Sequence, residues 1–420
     1  MYAERFLERK LKKYIKRREI IAVVGPRQSG KTTLLRHLFE SLSQAVFLDF
    51  EDRETLELFN EDIKSFAELY VRNNNYLFID EFQYAKEGGK NLKYIYDTYK
   101  IKIFISGSSI SGLSIQGIKY LAGRVFVFNL YPFSFEEYLN FKEPKLYQLY
   151  AKREFAKREL TKPAITLTTK PVTKPITDKI IPFFNEFCVF GGYPRVVLAK
   201  NKEEKEIVLK NIYNTYFLRE IREVLNLPED YRLSKLIHAL ALQTGNVINY
   251  AELSEISGFA YADLLSYMNV LEKTFICLRS RPFYTNKRTE LMKAPKIFFF
   301  DNGFRNLVVK NFQPAKDRLD KGQLYENFVA SELVKRELEI KYWRTKAKAE
   351  VDFIIEQKGR VIPLEIKSGL KKPKLSKSFL SFISKYKPKQ SLILSETLST
   401  SLSTRKGNVY FRPIFAVGRI

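Results

Sequence analysis

The octet Gly25-Pro26-Arg27-Gln28-Ser29-Gly30-Lys31-Thr32 constrains the fold of this chain more than any other segment. Its spacing, G-x-x-x-x-G-K-[ST], is that of a phosphate-binding loop. The apolar run Ile20-Ile21-Ala22-Val23-Val24 leads into it as a buried strand, and Thr33-Leu34-Leu35-Arg36-His37-Leu38-Phe39 follows with helical spacing. The octet therefore falls at a strand-to-helix turn, a context that chance matches to the pattern seldom share. Gly25 and Gly30 let the backbone wrap an anion with its N–H groups. The new helix aims its positive end at the phosphates. In this setting Lys31 reaches the β- and γ-phosphates and the Thr32 hydroxyl holds Mg²⁺.

A second element matches the first. Asn75-Tyr76-Leu77-Phe78-Ile79-Asp80-Glu81 reads as a buried parallel strand whose carboxyl end faces the ligand crevice. Asp80 fits the acidic residue that supports Mg²⁺, and Glu81 fits the carboxylate that polarises an attacking water. The strand Ile101-Lys102-Ile103-Phe104-Ile105 ends in Ser106-Gly107-Ser108-Ser109, where Ser106 or Ser108 can sense the γ-phosphate. Phe47-Leu48-Asp49-Phe50 reads as a further strand. Gly123-Arg124 precedes the strand Val125-Phe126-Val127-Phe128, and Arg124 is a candidate arginine finger, in cis or from a neighbouring subunit. The plainer alternative is a surface arginine in a turn.

Taken together, Gly25 through Thr33 (GPRQSGKTT), Leu77 through Gln83 (LFIDEFQ), Ile105 through Ser109 (ISGSS), Leu121 through Arg124 (LAGR) and Tyr131 through Tyr138 (YPFSFEEY) resemble a group of archaeal and bacterial AAA+ ATPases. These carry a C-terminal domain similar to the PD-(D/E)xK nucleases. The resemblance spans nearly the whole chain and implies ATP and Mg²⁺ as cofactors. It implies nucleotide contacts from Gly25, Pro26, Arg27, Gln28, Ser29, Gly30, Lys31, Thr32, Thr33, Ser106 and Ser108. Metal contacts would come from Thr32 and Asp80, and catalysis from Lys31, Asp80, Glu81 and Arg124. The role of these ATPases is poorly defined, so a mechanism transfers more firmly than a task.

Composition narrows the class further. The chain has 420 residues, enough for two or three domains, and 45% of them are apolar. No run approaches the roughly 18 apolar residues of a spanning helix. The start, Met1 through Lys10, is a charged helix rather than a signal peptide. Cys188 and Cys277 match no metal or redox spacing, which fits free core thiols in a reducing, cytoplasmic setting. The net charge of +25 points to an anionic partner such as DNA, or to a lysine-rich solvated surface.

Beyond the first domain, three Lys-Pro steps and many threonines between Lys157 and Lys179 read as an extended insertion. Ordered sequence resumes at Ile181-Pro182-Phe183-Phe184 and turns at Gly191-Gly192-Tyr193-Pro194. Helical patterns cover about Glu203–Val224 and Leu233–Leu242. A helix at Tyr250–Ser257, closed by Gly258, then one at Ala262–Glu272, then strands at Phe275–Leu278 and Ile297–Asp301 suggest a winged helix. Its second helix is poor in Lys and Arg, which favours internal packing over DNA reading. The flanking Arg279, Arg281, Lys287 and Arg288 remain candidate phosphate contacts.

The C-terminal region holds a second constellation. Strands at Glu350–Ile355 and Val361–Lys367, joined by a short Gly-containing turn, alternate faces with period 2. Glu350 shares a face with Asp352, and Glu365 with Lys367. In register, Asp352, Glu365 and Lys367 converge, so that two carboxylates bind Mg²⁺ and the ammonium orients a water. The plainer alternative is a solvated face of an antiparallel hairpin. The D…E-x-K pattern matches the nuclease-like fold, with Glu326 where those enzymes often carry a helical acid. The basic run Leu370–Lys377 flanks this cleft as a phosphate contact or a solvated loop.

The expected fold is α/β: a P-loop NTPase with an AAA+-like parallel sheet over 1–140, a Lys/Thr/Pro-rich insertion or linker over 141–180, a helical and winged-helix region over 181–310, and a small nuclease-like α/β domain over 311–420. The expected activity is Mg²⁺-dependent ATP hydrolysis coupled to domain rearrangement. The expected partners are DNA and further copies of the chain, without a membrane. Two roles stay open: a DNA-processing enzyme whose C-terminal site cuts, and a nucleotide switch in signalling or defence whose C-terminal fold only binds.

Overall fold

Five apolar runs become five parallel strands. They are β1 (Ile20–Gly25), β2 (Ala45–Asp49), β3 (Tyr76–Asp80), β4 (Lys102–Ser108) and β5 (Val125–Asn129), arranged β2-β3-β4-β1-β5. β1 lies in the middle of its neighbours and is buried on both faces. Ile20, Ala22 and Val24 point into a core with Leu77, Ile79, Ile103 and Ile105. Ile21 and Val23 point the other way, onto Leu34, Leu35 and Leu38. Those leucines line one stripe of helix α2 (Lys31–Glu40). Each such side chain contributes about 2 kcal/mol of burial free energy, which explains a strand with no polar residue. The short helix α1 (Phe6–Lys12) adds Leu11 to the same face.

The structure, a computed structural model, describes residues 2–86, 88–108, 120–154, 171–225, 227, 231–357, 359–405 and 407–419. Its contacts define two units. The first comprises Met1–Phe133, Thr215–Pro228 and Lys273–Phe275, and the second comprises Ser134–Asn214, Glu229–Glu272 and Ile276–Ile420.

The second unit combines helices with an eight-stranded mixed sheet, ordered β12-β13-β11-β10-β9-β8-β6-β7. The strands are β6 (Cys277–Pro282), β7 (Lys296–Phe299), β8 (Lys341–Arg344), β9 (Glu350–Gln357), β10 (Arg360–Ile366), β11 (Gln390–Ser395), β12 (Thr400–Thr404) and β13 (Gly407–Pro413). The helix Lys377–Tyr386 packs Phe379, Phe382 and Ile383 against Trp343, Val351, Ile354 and Phe411. The turn at Gly191 is tied to the helix Asn302–Val308 through Asp301. Asp301 accepts from Gly192 N at 2.7 Å and caps Phe304 N at 3.1 Å. Gly191 has φ +75°, and a Cβ there would lie 1.9 Å from Asp301 Oδ1, so only glycine fits.

Two readings of the sequence need correction. The hairpin taken as a wing is not free-standing: β6 pairs with β7 over Cys277–Ser280, then with β8 through Arg281 and Pro282, so the hairpin forms one edge of the C-terminal sheet. Helix also extends into the segment read as insertion or linker, at Pro144–Glu154 and from Lys174. Pro175 opens the latter helix at a position where its missing N–H costs nothing. The Thr/Lys/Pro-rich residues 155–170 lie outside the described residues. The helices Tyr250–Ser257, with Gly258 left-handed at its end, and Tyr261–Lys273 form as their patterns imply. Among the described residues no helix is long and apolar enough to cross a membrane.

Candidate functional site

In a parallel sheet every carboxyl terminus opens on one edge, so β1, β3 and β4 deliver their last residues to the same place. Gly25 pairs with Ser108, and Asp49 with Asp80. Residues 25–30 turn from β1 into α2. Gly30 is left-handed at φ 95° and offers no side-chain cap, so the first N–H groups of α2 lack that partner. A Cβ on Gly25 would lie 2.1 Å from Leu130 O, so the loop can follow this path only with glycine there. Lys31 is buried and folds back to donate to Gly25 O at 3.1 Å and Pro26 O at 3.0 Å. Among the described residues, the buried Ser29 Oγ and Gln28 Oε1 find no hydrogen-bond partner. Such atoms call for a ligand or solvent partner, and a triphosphate with its hydration fits that demand. Pro26 is buried, Arg27 and Thr32 are half-buried, and Thr33 is exposed.

The acidic side is preorganised. Asp80 is buried, and its carboxylate accepts from Ser106 Oγ and, at 3.1 Å, from Glu81 N. Glu81 adopts a left-handed φ of 52°, uncommon for a residue with a Cβ, which turns the chain sharply off β3. Its carboxylate accepts from Gln83 Nε2, while Gln83 Oε1 accepts from Ser108 N at 3.3 Å. Burial pushes the Glu81 pKa up, against the pull of Gln83 and Lys31. Ser106 thus serves Asp80, and Ser108 sits beside Gly25 at the sheet edge. Thr32 and Asp80 bring a hydroxyl and a carboxylate to this part of the domain, and oxygen is the ligand type that Mg²⁺ takes.

Arg124 lies elsewhere. It precedes β5, and its carbonyl accepts from Ile20 N at the start of β1. A five-residue strand, roughly 16 Å long, separates it from the loop edge. Its guanidinium pairs with Asp97 at 3.1 Å and stacks over Tyr96. A contact with the γ-phosphate in cis does not fit this position, which leaves a surface arginine in a turn or a role in a neighbouring subunit.

Two residues here escaped motif reading. Gln83 bridges Glu81 to Ser108, and Arg5 is buried against the loop. Arg5 donates to Ser29 O at 2.8 Å and Tyr131 O at 2.6 Å, and its guanidinium lies over the Phe133 ring. Arg5 thus joins the loop to the segment after β5. Replacing Arg5 by alanine is expected to raise the KM for ATP about 10-fold, because the loop loses a fixed carbonyl anchor. Arg5→Lys cannot span both carbonyls and should recover little of the loss. Steady-state kinetics on the two variants check this.

The second constellation lies in the C-terminal sheet. Leu364 pairs with Phe353, which sets Glu365 opposite Asp352. Glu365 is buried, accepts from Ser376 Oγ at 2.9 Å and pairs with Lys367 Nζ at 3.0 Å. Asp352 accepts from Ile366 N at 2.7 Å. Glu326, on the helix Lys321–Lys335, approaches Gly245, where a Cβ would lie 3.1 Å from its Oε2. Burial and the nearby Asp352 push the Glu326 pKa up, and burial raises that of Asp352. Lys296, which the motif did not reveal, ion-pairs with Glu350 in the same cluster.

Among the described residues no group of three or more His, Cys, Asp or Glu side chains is arranged to hold a metal. The basic flank is also partly consumed internally. Arg279 bonds Glu272 and Asn269, and Lys287 bonds Glu290 and Glu356. Lys371, Lys372, Lys374 and Lys377 are exposed.

Fold and site define an AAA-type P-loop domain followed by a helical region and a mixed-sheet domain. Residues 17–139 match the family profile described as AAA domain. Residues 182–315 and 321–412 match two others, Domain of unknown function (DUF8612) and Domain of unknown function (DUF4143). An uncharacterized protein of Haemophilus influenzae is 24% identical over 365 residues, covering 83% of this chain and 82% of its own length. One from Methanocaldococcus jannaschii is 25% identical over 431 residues, covering 97% and 86%. Among solved structures, a Walker-type ATPase of Pyrococcus abyssi aligns over 73% of this chain and 96% of its own, at 15% identity and TM-score 0.40.

Proposed function

We propose that this chain is an ATPase that binds ATP with Mg²⁺ at residues 25–33 and hydrolyses it, coupling turnover to rearrangement of the rest of the chain. The observation that carries this reading is the convergence of Lys31, Asp80, Glu81 and Ser108 at one sheet edge beside a loop whose buried Ser29 Oγ and Gln28 Oε1 find no partner among the described residues. Lys31 would exchange its two carbonyl bonds for phosphate oxygens. Thr32 and Asp80 would hold Mg²⁺, which neutralises charge developing on the phosphates. Glu81 would take a proton from the attacking water, with Gln83 fixing its orientation. Ser106 would hold Asp80 in place, and Ser108 would sense the γ-phosphate. Arg124 would act only across an interface between copies. Phosphate release from ATP, measured with Mg²⁺ and after chelation, tests this. Turnover that stops on chelation supports the reading, and no turnover in either condition removes it.

DNA is the favoured partner, supported by the net charge of +25 and the exposed lysines at 371–377. Two buried free thiols fit a reducing, cytoplasmic setting. A second reading, a nucleotide switch whose C-terminal fold binds without cutting, is favoured by one feature: Glu350 and Glu365 are paired with Lys296, Lys367 and the Ser376 hydroxyl of the chain itself. Incubating linear and branched DNA with Mg²⁺ or Mn²⁺ separates the roles. Cutting lost in Asp352→Ala would establish the first.

A further inference from the structure

Lys296 opens β7 and is 3% exposed. A buried lysine needs a strong reason, since removing an ammonium from water costs several kcal/mol unless it is paired. Here its ammonium ion-pairs with Glu350 and lies over the Tyr342 ring, 5.6 Å from the centroid. Glu350 shares a strand face with Asp352, and Asp352 stands opposite Glu365. Glu365 is already held by Lys367 and Ser376. Glu350 has a second cation in Arg344, at 3.5 Å. Lys367 also lies close enough to act on Asp352 and Glu326, but Glu350 is held by Lys296 and Arg344, and Lys296 is the buried cation of the group. Burial disfavours the charged form of Lys296, yet Glu326, Asp352 and Glu350 together hold its pKa above the ordinary lysine value.

We infer that Lys296 is the resident cation of this acid cluster, standing where a divalent ion would otherwise be needed, so that Glu326, Glu350 and Asp352 do not take up Mg²⁺ or Mn²⁺ while it is in place. This deepens the non-cutting reading, on which it rests, and gives that reading a chemical cause. A fixed ammonium offsets the carboxylates but has no coordination positions for phosphate oxygens and water, as a metal does. Removing it leaves the carboxylates with less offsetting charge in a confined space, the condition under which oxygen ligands gather a hard cation.

The test uses full-length, nucleotide-free protein and Mn²⁺ alone, with free Mn²⁺ followed by electron paramagnetic resonance. Wild type should show no saturable site tighter than about 1 mM that Asp352→Asn removes. Lys296→Met should gain such a site, at least about tenfold tighter than any wild-type uptake, and Lys296→Met combined with Asp352→Asn should lose it. A wild-type site abolished by Asp352→Asn overturns the inference. So does a folded Lys296→Met that gains nothing. Should Lys296→Met fail to fold, the wild-type and Asp352→Asn titrations decide alone: a shared absence of binding supports the inference, and a difference between them overturns it. Wild-type Mn²⁺ binding without DNA cleavage would sink the role of Lys296 yet leave the non-cutting reading intact, whereas cleavage lost in Asp352→Asn would sink both.

Discussion

Lys31→Ala is expected to lower the kcat for ATP hydrolysis about 10³-fold or more, the scale seen when a preorganised charge at a reacting phosphate is removed. Lys31 is buried at the start of α2, and in this structure its ammonium bonds two carbonyls of its own loop. It is thus held at the loop by carbonyl bonds that phosphate oxygens can replace. Alanine is a better helix former and clashes with nothing, so the variant should fold. Circular dichroism and the thermal midpoint should stay near wild type while phosphate release collapses. Unchanged hydrolysis in a folded Lys31→Ala protein would remove the loop from the chemistry.

Glu81→Gln should separate binding from turnover. The amide preserves the size and the left-handed turn at φ 52°, and Asp80 keeps its bonds from Ser106 and the backbone N–H at 81. What is lost is a carboxylate able to accept a proton. The expected fall in kcat is about 10²- to 10⁴-fold, the range for a positioned general base, with nucleotide affinity little changed. Single-turnover measurements of ATP cleavage beside equilibrium nucleotide binding check both parts. A variant that binds weakly but turns over normally would assign Glu81 to binding instead.

The phosphate loop and its strands were legible because each is local. A run of β-branched residues, a fixed Gly-Lys-Thr spacing and a helical stripe occupy one continuous stretch, and the parallel sheet follows from their alternation. The D…E-x-K strands were legible for the same reason: period 2 puts their acids on one side, and one hairpin register joins them. What was hidden depends on distant residues. Arg5 reaches Ser29 and Tyr131 from a short helix with no signature. Lys296 lies 54 residues before its partner Glu350 in the chain. The sequence left the position of Arg124 open because a loop arginine before a strand looks alike in sequence at either edge of a sheet. Only the pairing of β5 with β1 places it at the amino edge. The hairpin at β6 and β7 was read as a wing because nothing local reveals that Arg281 and Pro282 continue into β8.

The account stands on nucleotide capture at the turn between β1 and α2. Equilibrium binding of a labelled ATP to the full chain, with Mg²⁺ present, tests that most directly. Saturable binding that unlabelled ATP displaces and that Gly25→Val abolishes is the expected result, because a side chain there would run into Leu130 O. No measurable affinity for adenine nucleotides, with Mg²⁺ or any other divalent ion, would contradict it.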